Sequence, residues 1–258
     1  MRLMKRILSA AAVLALSASL LVGCSSGTAS SVPVSASSAA ESTVSSVEET
    51  ASSAVDENEA AAAQLLNDLT GSYQELWPVI LADEYKQTWL DDCTAHVGED
   101  NAEAAFEKLS SMVTGDVYGE DAVKAYANGG GAYFCGFTNS LAILTFDGET
   151  STISGTDKDG NVLFSHTYHY IGMEPVHGLY EFESDDADSG EFTYFFLAPD
   201  TSAETYHIEF RYGSDADALS QYDAGDYAYW VASGISTDCD QTMIDNCIEL
   251  FCTENLAG

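Results

Sequence analysis

Basic residues are scarce in this sequence. Among its 258 residues there are 8 Lys and Arg against 42 Asp and Glu, so the formal net charge is −34. A chain of this charge repels the phosphates of nucleic acids and of anionic lipid headgroups, and it attracts cations. We therefore expect no nucleic-acid partner. Attraction of cations is common to all acidic surfaces, so the charge alone does not define a metal site.

Familiar catalytic motifs are absent. The sequence has no nucleophile elbow, no glycine-rich phosphate loop and no pair of carboxylates in a catalytic spacing. The acidic stretches 155–161 and 185–191 hold several carboxylates each, but neither has the spacing of an EF-hand loop. We interpret both as hairpin turns, and we do not expect an enzyme.

Cysteines occur without a Cys-x-x-Cys pair, which argues against the commonest zinc-ribbon and thioredoxin-like sites. Besides Cys24 the chain has five of them, namely Cys93, Cys135, Cys239, Cys247 and Cys252. Because five is odd, at least one is unpaired unless it bonds another chain. Cys247 and Cys252 are five apart in a predicted helix and do not share a face, so we expect small buried side chains there.

Long apolar runs are limited to one, near the N-terminus. The run ILSAAAVLALSASLLVG follows Arg2, Lys5 and Arg6 and ends just before Cys24. A basic start, an apolar stretch and small residues before a cysteine are typical of a bacterial lipoprotein signal. We predict a signal peptide over 1–23, a lipid on Cys24, and a protein held at the outside of the cell membrane by that lipid without crossing the bilayer.

Aromatic residues are missing from the stretch that follows. Residues 24–60 are mainly Ser, Ala, Val, Thr and Glu, with one Pro. Such a segment cannot bury enough apolar surface to offset the entropy lost on ordering it. We predict a flexible acidic tether over 24–60 and one globular domain over 61–258, where Tyr, Phe, Trp and aliphatic residues are frequent.

The pattern of the domain changes near Gly131. Before it, segments such as ENEAAAAQLLNDL and YQELWPVILADEYKQTWLDDCTAHV read as helices, with Pro78 as a break or a first-turn residue. After it, eight short β-rich segments from AYFCGF to YAYWVASG are separated by turn signals, and a last helix is capped by Ser236 or Thr237. We predict a mainly β fold, an up-and-down antiparallel barrel with a helical part packed on it, because closure removes exposed strand edges.

One of these segments, ETYHIEFRYGSD, alternates strictly. Its apolar side would hold Tyr206, Ile208, Phe210 and Tyr212, and its polar side Thr205, His207, Glu209 and Arg211. The apolar side of a small barrel is normally its core, which would turn the polar side to water. The opposite orientation would turn the polar side into a cavity, and the sequence leaves both open.

Several segments follow the pattern of one known family. They are LNDLTGSYQELWPVILADEY, YEFES, FFLAP, YHIEFRYGSD and YAYWVASGI, and they are most specific over Gly71–Pro78 and Phe195–Asp215. In these segments the domain resembles the ZinT (YodA) family of exported, lipocalin-like zinc-binding proteins. The resemblance implies a lipocalin- or calycin-like antiparallel barrel whose mouth holds Zn²⁺ or a similar divalent ion on three histidines.

The three histidine positions of that family correspond here to Phe195, Thr205 and His207, so one of them is kept. Phenylalanine offers no lone pair and threonine is a poor zinc ligand at neutral pH, so His207 cannot hold the ion alone. Other residues must replace the lost ligands if the function is retained.

Candidate replacements are Glu209, His166 and His177. Glu209 shares the face of His207, and zinc accepts both imidazole and carboxylate ligands. His166 and His169 are three apart on a predicted strand, so they point to opposite faces and at most one can join His207. A mixed site of His207, Glu209 and either His166 or His177 is one reading, and a hydrogen-bonded or solvated His207 is the other.

Two functions remain open at this stage. The resemblance implies an extracytoplasmic, lipid-anchored protein that captures zinc or a related divalent ion for uptake or buffering, with a metal-uptake receptor as a partner. Alternatively, Phe195, Phe196 and Leu197 line an apolar barrel mouth that binds a small hydrophobic ligand or a peptide without metal.

Overall fold

The computed structural model describes residues 57–256. Its helices are α1 (57–68), α2 (Leu76–Ile80), α3 (Lys86–Val97), α4 (Ala102–Val113), α5 (Glu120–Ala127), α6 (Ser202–Thr205), α7 (Ala216–Leu219) and α8 (Gln241–Leu256). Its strands are β1 (Gly71–Glu75), β2 (Ile143–Asp147), β3 (Thr152–Thr156), β4 (Val162–Met173), β5 (Tyr180–Ser184), β6 (Tyr194–Leu197), β7 (Ile208–Gly213) and β8 (Ala232–Ser236). The predicted signal peptide and Cys24 lie outside the described residues. Helix α1 includes 57–60, which the sequence analysis placed in the tether.

The eight strands form a closed antiparallel barrel in which each strand pairs with the next along the chain. Strand β1 completes the ring by pairing with both β2 and β8. Closure satisfies the backbone N–H and C=O groups that an open sheet leaves exposed at its edges. The predicted up-and-down barrel with a helical part, a lipocalin-like fold, is confirmed.

The set of segments that form barrel strands differs from the prediction at two places. Strand β1 lies in a segment that the sequence analysis read as helical, and its Tyr73 pairs with Leu144 on one side and Ser236 on the other. Pairing on both sides outweighs the helix preference of Gln74 and Glu75. The segment AYFCGF is not a strand, since Phe134 forms only single bridges, to Thr114 and Trp230.

The barrel interior is filled with aromatic side chains. The ring of Phe195 on β6 lies 5.4 Å from both Tyr168 and Tyr212 and 5.9 Å from Phe164, measured between ring centroids. Phe195 is 0% exposed, and Tyr212 is equally buried. Eight-stranded barrels are just wide enough for side chains to fill them, so this interior is a packed core.

A second core joins the helices to the outside of the barrel. Trp77 of α2 and Trp89 of α3 both pack on Phe251 of α8, with ring centroids 4.8 and 5.9 Å apart, and Ile235 of β8 belongs to the same cluster. Helix α8 is capped by Asp240, whose Oδ1 accepts the N–H of Met243 at 2.9 Å, and the predicted cap at Ser236 or Thr237 is wrong.

Within residues 57–256 no helix combines the length and apolar character that spanning a membrane requires.

We expect Phe195→Ala to lower the free energy of unfolding by about 3–5 kcal/mol, because it leaves a cavity among rings that cannot collapse to fill it. The matched control is Val162→Ala on β4, where Val162 is 70% exposed and the loss should be about 1 kcal/mol or less. Urea unfolding of both variants checks this. Equal, small losses would mean that Phe195 does not lie in a packed interior.

Candidate metal centre

Strand β7 divides its side chains between the two cores. Ile208 and Phe210 point into the barrel with Tyr212, so His207 and Glu209 lie on its outer surface. Both are largely covered, with side chains 15% and 12% exposed. The side chains of His207 and Glu209 therefore face neither water nor the barrel interior, but the layer of helices.

The alternation predicted for this segment begins later than expected. Helix α6 ends at Thr205, and Tyr206 has a left-handed backbone with φ of 65° and packs with the helices rather than in the barrel. Grouping Tyr206 with Ile208, Phe210 and Tyr212 on one side of a strand was therefore wrong, because the chain becomes a strand only at Ile208.

The three family positions do not meet. Phe195 pairs with Tyr212 in the β6–β7 ladder, and its ring lies inside the barrel, whereas His207 lies outside it. Thr205 belongs to a helical turn. The ring of Phe195 is inside the barrel, and the side chain of His207 lies beside the outward-facing Glu209, so these three positions do not form a tripod around one ion.

His166 lies on the other face of the wall from His207. It pairs with the fully buried Ile153, which puts it on the inner side of β4, and its Nδ1 lies 2.7 Å from Oδ2 of Asp186. His169 points the opposite way, as expected, with Nδ1 2.7 Å from Oδ1 of Asp185. A site shared by His166 and His207 is therefore not formed.

His177 belongs to a separate buried cluster. Its Nδ1 lies 3.3 Å from Oε2 of Glu174, and its ring lies 3.6 Å from the ring of Tyr222. The guanidinium of Arg211 lies 4.2 Å from the centre of the Tyr222 ring. Burial lowers the pKa of His177, and the nearby Glu174 only partly opposes this. These contacts give His177 a structural role.

His207 and Glu209 do come together, and Cys247 joins them. The Nδ1–H of His207 donates to the carbonyl oxygen of Thr205 at 2.7 Å, which turns Nε2 toward Oε1 of Glu209, 3.8 Å away. Cys247, on the buried side of α8, also interacts electrostatically with the imidazole. From the sequence we expected Cys247 to be a small buried side chain, and its position beside His207 was not predicted.

Further acidic groups surround this set, which we call the 207–209–247 cluster. Asp200 interacts electrostatically with both His207 and Glu209, and burial and then Glu209 raise its pKa. Burial and Glu209 likewise raise the pKa of the Cys135 thiol. Burial opposes the charged imidazole of His207, yet Cys247 and Glu209 outweigh it and hold the pKa of His207 well above its usual value. The cluster thus favours a positive charge at its centre.

The residues fit a soft divalent cation by chemistry and only in part by geometry. Imidazole nitrogen, carboxylate oxygen and thiol sulfur are the three donor types that zinc uses. Ser233, which pairs with Glu209, is fully buried, and its hydroxyl lies beside the Cys135 thiol. However, residues 57–256 contain no group of three or more His, Cys, Asp and Glu side chains already spaced to hold a metal ion. Binding would require the side chains of His207, Glu209 and Cys247 to move closer together.

Comparisons with known proteins give a likeness of fold. No family model matches the chain, and no curated protein matches it. The Zn(II)-bound ZinT-like domain of Streptococcus pneumoniae AdcA is similar, with 14% identity, a TM-score of 0.46, and coverage of 71% of this chain and 89% of that one. Zn(II)-bound AdcA from Streptococcus pneumoniae is also similar, with 14% identity, a TM-score of 0.44, and coverage of 72% and 35%.

We expect Glu209→Gln to lower the pKa of His207 because it removes a neighbouring negative charge, whereas Glu183→Gln on the outer side of β5 should leave it unchanged. NMR titration of the imidazole measures both. A raised pKa adds stability that is complete below the unfolded value of about 6.5 and is lost as the pH rises through the folded pKa. The stability difference between wild type and Glu209→Gln should therefore shrink with rising pH, and a constant difference would contradict the pairing.

Proposed function

We propose that this domain is a metal-binding protein without catalytic activity, and that it captures zinc or a related divalent ion at the 207–209–247 cluster. The observation that supports this most is the orientation of His207. Its Nδ1–H is fixed by the Thr205 carbonyl, so Nε2 is directed at a carboxylate and a thiol. Metal-binding histidines commonly donate their other N–H to a backbone carbonyl in this way.

The charge of the cluster supports the same proposal. Burial opposes the charged imidazole of His207, but Cys247 and Glu209 outweigh burial and raise its pKa, so the surroundings favour positive charge. Zinc would take the place of the imidazolium proton, because its ligands must be a neutral imidazole and deprotonated acids. Asp200 would add negative charge close by without itself being required as a ligand. His207, Glu209 and Cys247 would hold the ion, and a water or a further donor would complete its coordination.

The location of the cluster suits capture rather than catalysis. It lies between the barrel wall and α8, where a substrate would have little access to a bound ion. If Cys24 carries the lipid that the sequence predicts, the tether would hold the domain outside the membrane. The acidic surface would then raise the local concentration of cations around it. Uptake or buffering of the metal, with a metal-uptake receptor as recipient, is the role that we propose.

The apolar-ligand alternative has no support from the barrel interior. Phe195, Phe196 and Leu197, which were expected to line an open mouth, are 0%, 0% and 1% exposed. Their side chains are part of the packed core, so they leave no apolar surface for a ligand.

We expect isothermal titration of the metal-free protein with Zn²⁺ to show one site, and His207→Ala to weaken it at least about 100-fold because a ligand is lost. The matched control is His169→Ala. His169 lies on the outer side of β4, where its imidazole hydrogen-bonds Asp185. Affinity should also fall as the pH is lowered, because protons compete with the ion. Equal affinity of both variants, or no binding beyond that of an unrelated acidic protein, would contradict the proposal.

A further inference from the structure

We propose that Cys93 and Cys252 form a disulfide that fixes α8 to α3. Cys93 lies in α3 and Cys252 in α8, and their Sγ atoms are 3.9 Å apart. Both residues are 0% exposed. In this structure they are thiols in van der Waals contact, and a bond requires the two sulfurs to approach to about 2.05 Å.

The neighbouring cysteines are engaged elsewhere. Cys135 lies beside Trp77 and Ser233, and Cys247 faces His207. Cys239 is half-buried at the start of α8. A bond between Cys93 and Cys252 accounts for two of the five cysteines in the domain and leaves Cys247 free. This inference is independent of metal binding.

The oxidation requires a disulfide-carrying oxidant, either a small molecule such as oxidised glutathione or an oxidoreductase. The Cys93 thiolate attacks one oxidant sulfur, which forms a mixed disulfide and releases the first reduced thiol. The Cys252 thiolate then attacks the Cys93 sulfur, which forms the Cys93–Cys252 bond and releases the second. The two cysteine protons are taken up by the two released thiols, and the two electrons reduce the oxidant.

Burial decides when this exchange can occur. Neither thiol has exposed surface, and burial raises the pKa of both, so the folded protein offers an oxidant no accessible thiolate. The bond therefore forms while α8 is not yet packed on α3, in the oxidising environment that the predicted export signal implies. After folding, the same burial protects the bond from reductants.

The expected consequence is a thermally stable attachment of α8. The bond would join residues 159 positions apart in sequence and enclose strands β2 to β8 between them. Closing a loop of more than 100 residues restricts the unfolded chain strongly, and for a domain of this size the melting temperature should rise by about 10 °C. Helix α8 also carries Cys247, so the bond would hold the cover of the 207–209–247 cluster in place.

The test is to refold the full chain with oxidised glutathione or with dithiothreitol and to compare the two products. Peptide mapping with and without reduction should give a Cys93–Cys252 cross-linked peptide in the first product alone, and its melting temperature should be about 10 °C higher. Cys93→Ser and Cys252→Ser should each abolish the oxidant-dependent shift. The control Cys239→Ser should keep it.

Three outcomes would overturn the proposal. They are free thiols at both Cys93 and Cys252 after oxidative refolding, a cross-link that joins either one to another cysteine, and a shift in melting temperature that survives Cys93→Ser. The peptide map of the unsubstituted chain decides the matter even if the serine variants do not fold.

Discussion

The structure depends on the outer face of β7 and β8 being covered by helices. Period-two alternation sends Phe210 and Tyr212 into the barrel, and it sends Glu209 outward together with its ladder partner Ser233. In an isolated barrel those outward side chains would meet water. Packing of α8 against this wall removes the water and encloses an imidazole, a carboxylate and a thiol in a space of low polarity.

Such an enclosure is costly unless the groups compensate one another. The outward-facing polar side chains of this segment are compensated in two ways. At one end, the guanidinium of Arg211 donates to the carbonyl oxygens of Leu219 and Tyr227 and stacks on Tyr222, so its donors are largely used within the fold. At the other end, burial opposes the charged form of His207, but Cys247 and Glu209 outweigh burial, and Asp200 interacts electrostatically with both His207 and Glu209. The arrangement around Arg211 is typical of a structural role, and the arrangement around His207 is expected where a cation binds.

The barrel and the opposite directions of His166 and His169 could be predicted from sequence because both depend on local alternation. The partners of each strand could not. Strand β1 is recognisable only through its pairing with β2 and β8, since its residues also suit a helix. The correspondence of Phe195 with His207 failed because two adjacent strands share a face only in a definite register, which a single sequence does not give.

Cys247 illustrates a second limit. Cys247 was expected to be a small buried side chain, but its neighbour His207 lies just before β7, 40 positions earlier, and only the packing of helix on barrel brings them together. The same packing produces the contact between Cys93 and Cys252. The contacts that give this protein its chemistry are thus formed when the helices pack on the barrel wall and on one another.

The most direct test is a crystal structure of the protein grown with Zn²⁺ and recorded at the zinc absorption edge. The account predicts an anomalous peak between the β7 wall and α8, about 2.0–2.3 Å from Nε2 of His207 and from a donor atom of Glu209 or Cys247. A peak inside the barrel near His166, or a row of His207 and Glu209 exposed to solvent with no ion beside it, would contradict the account.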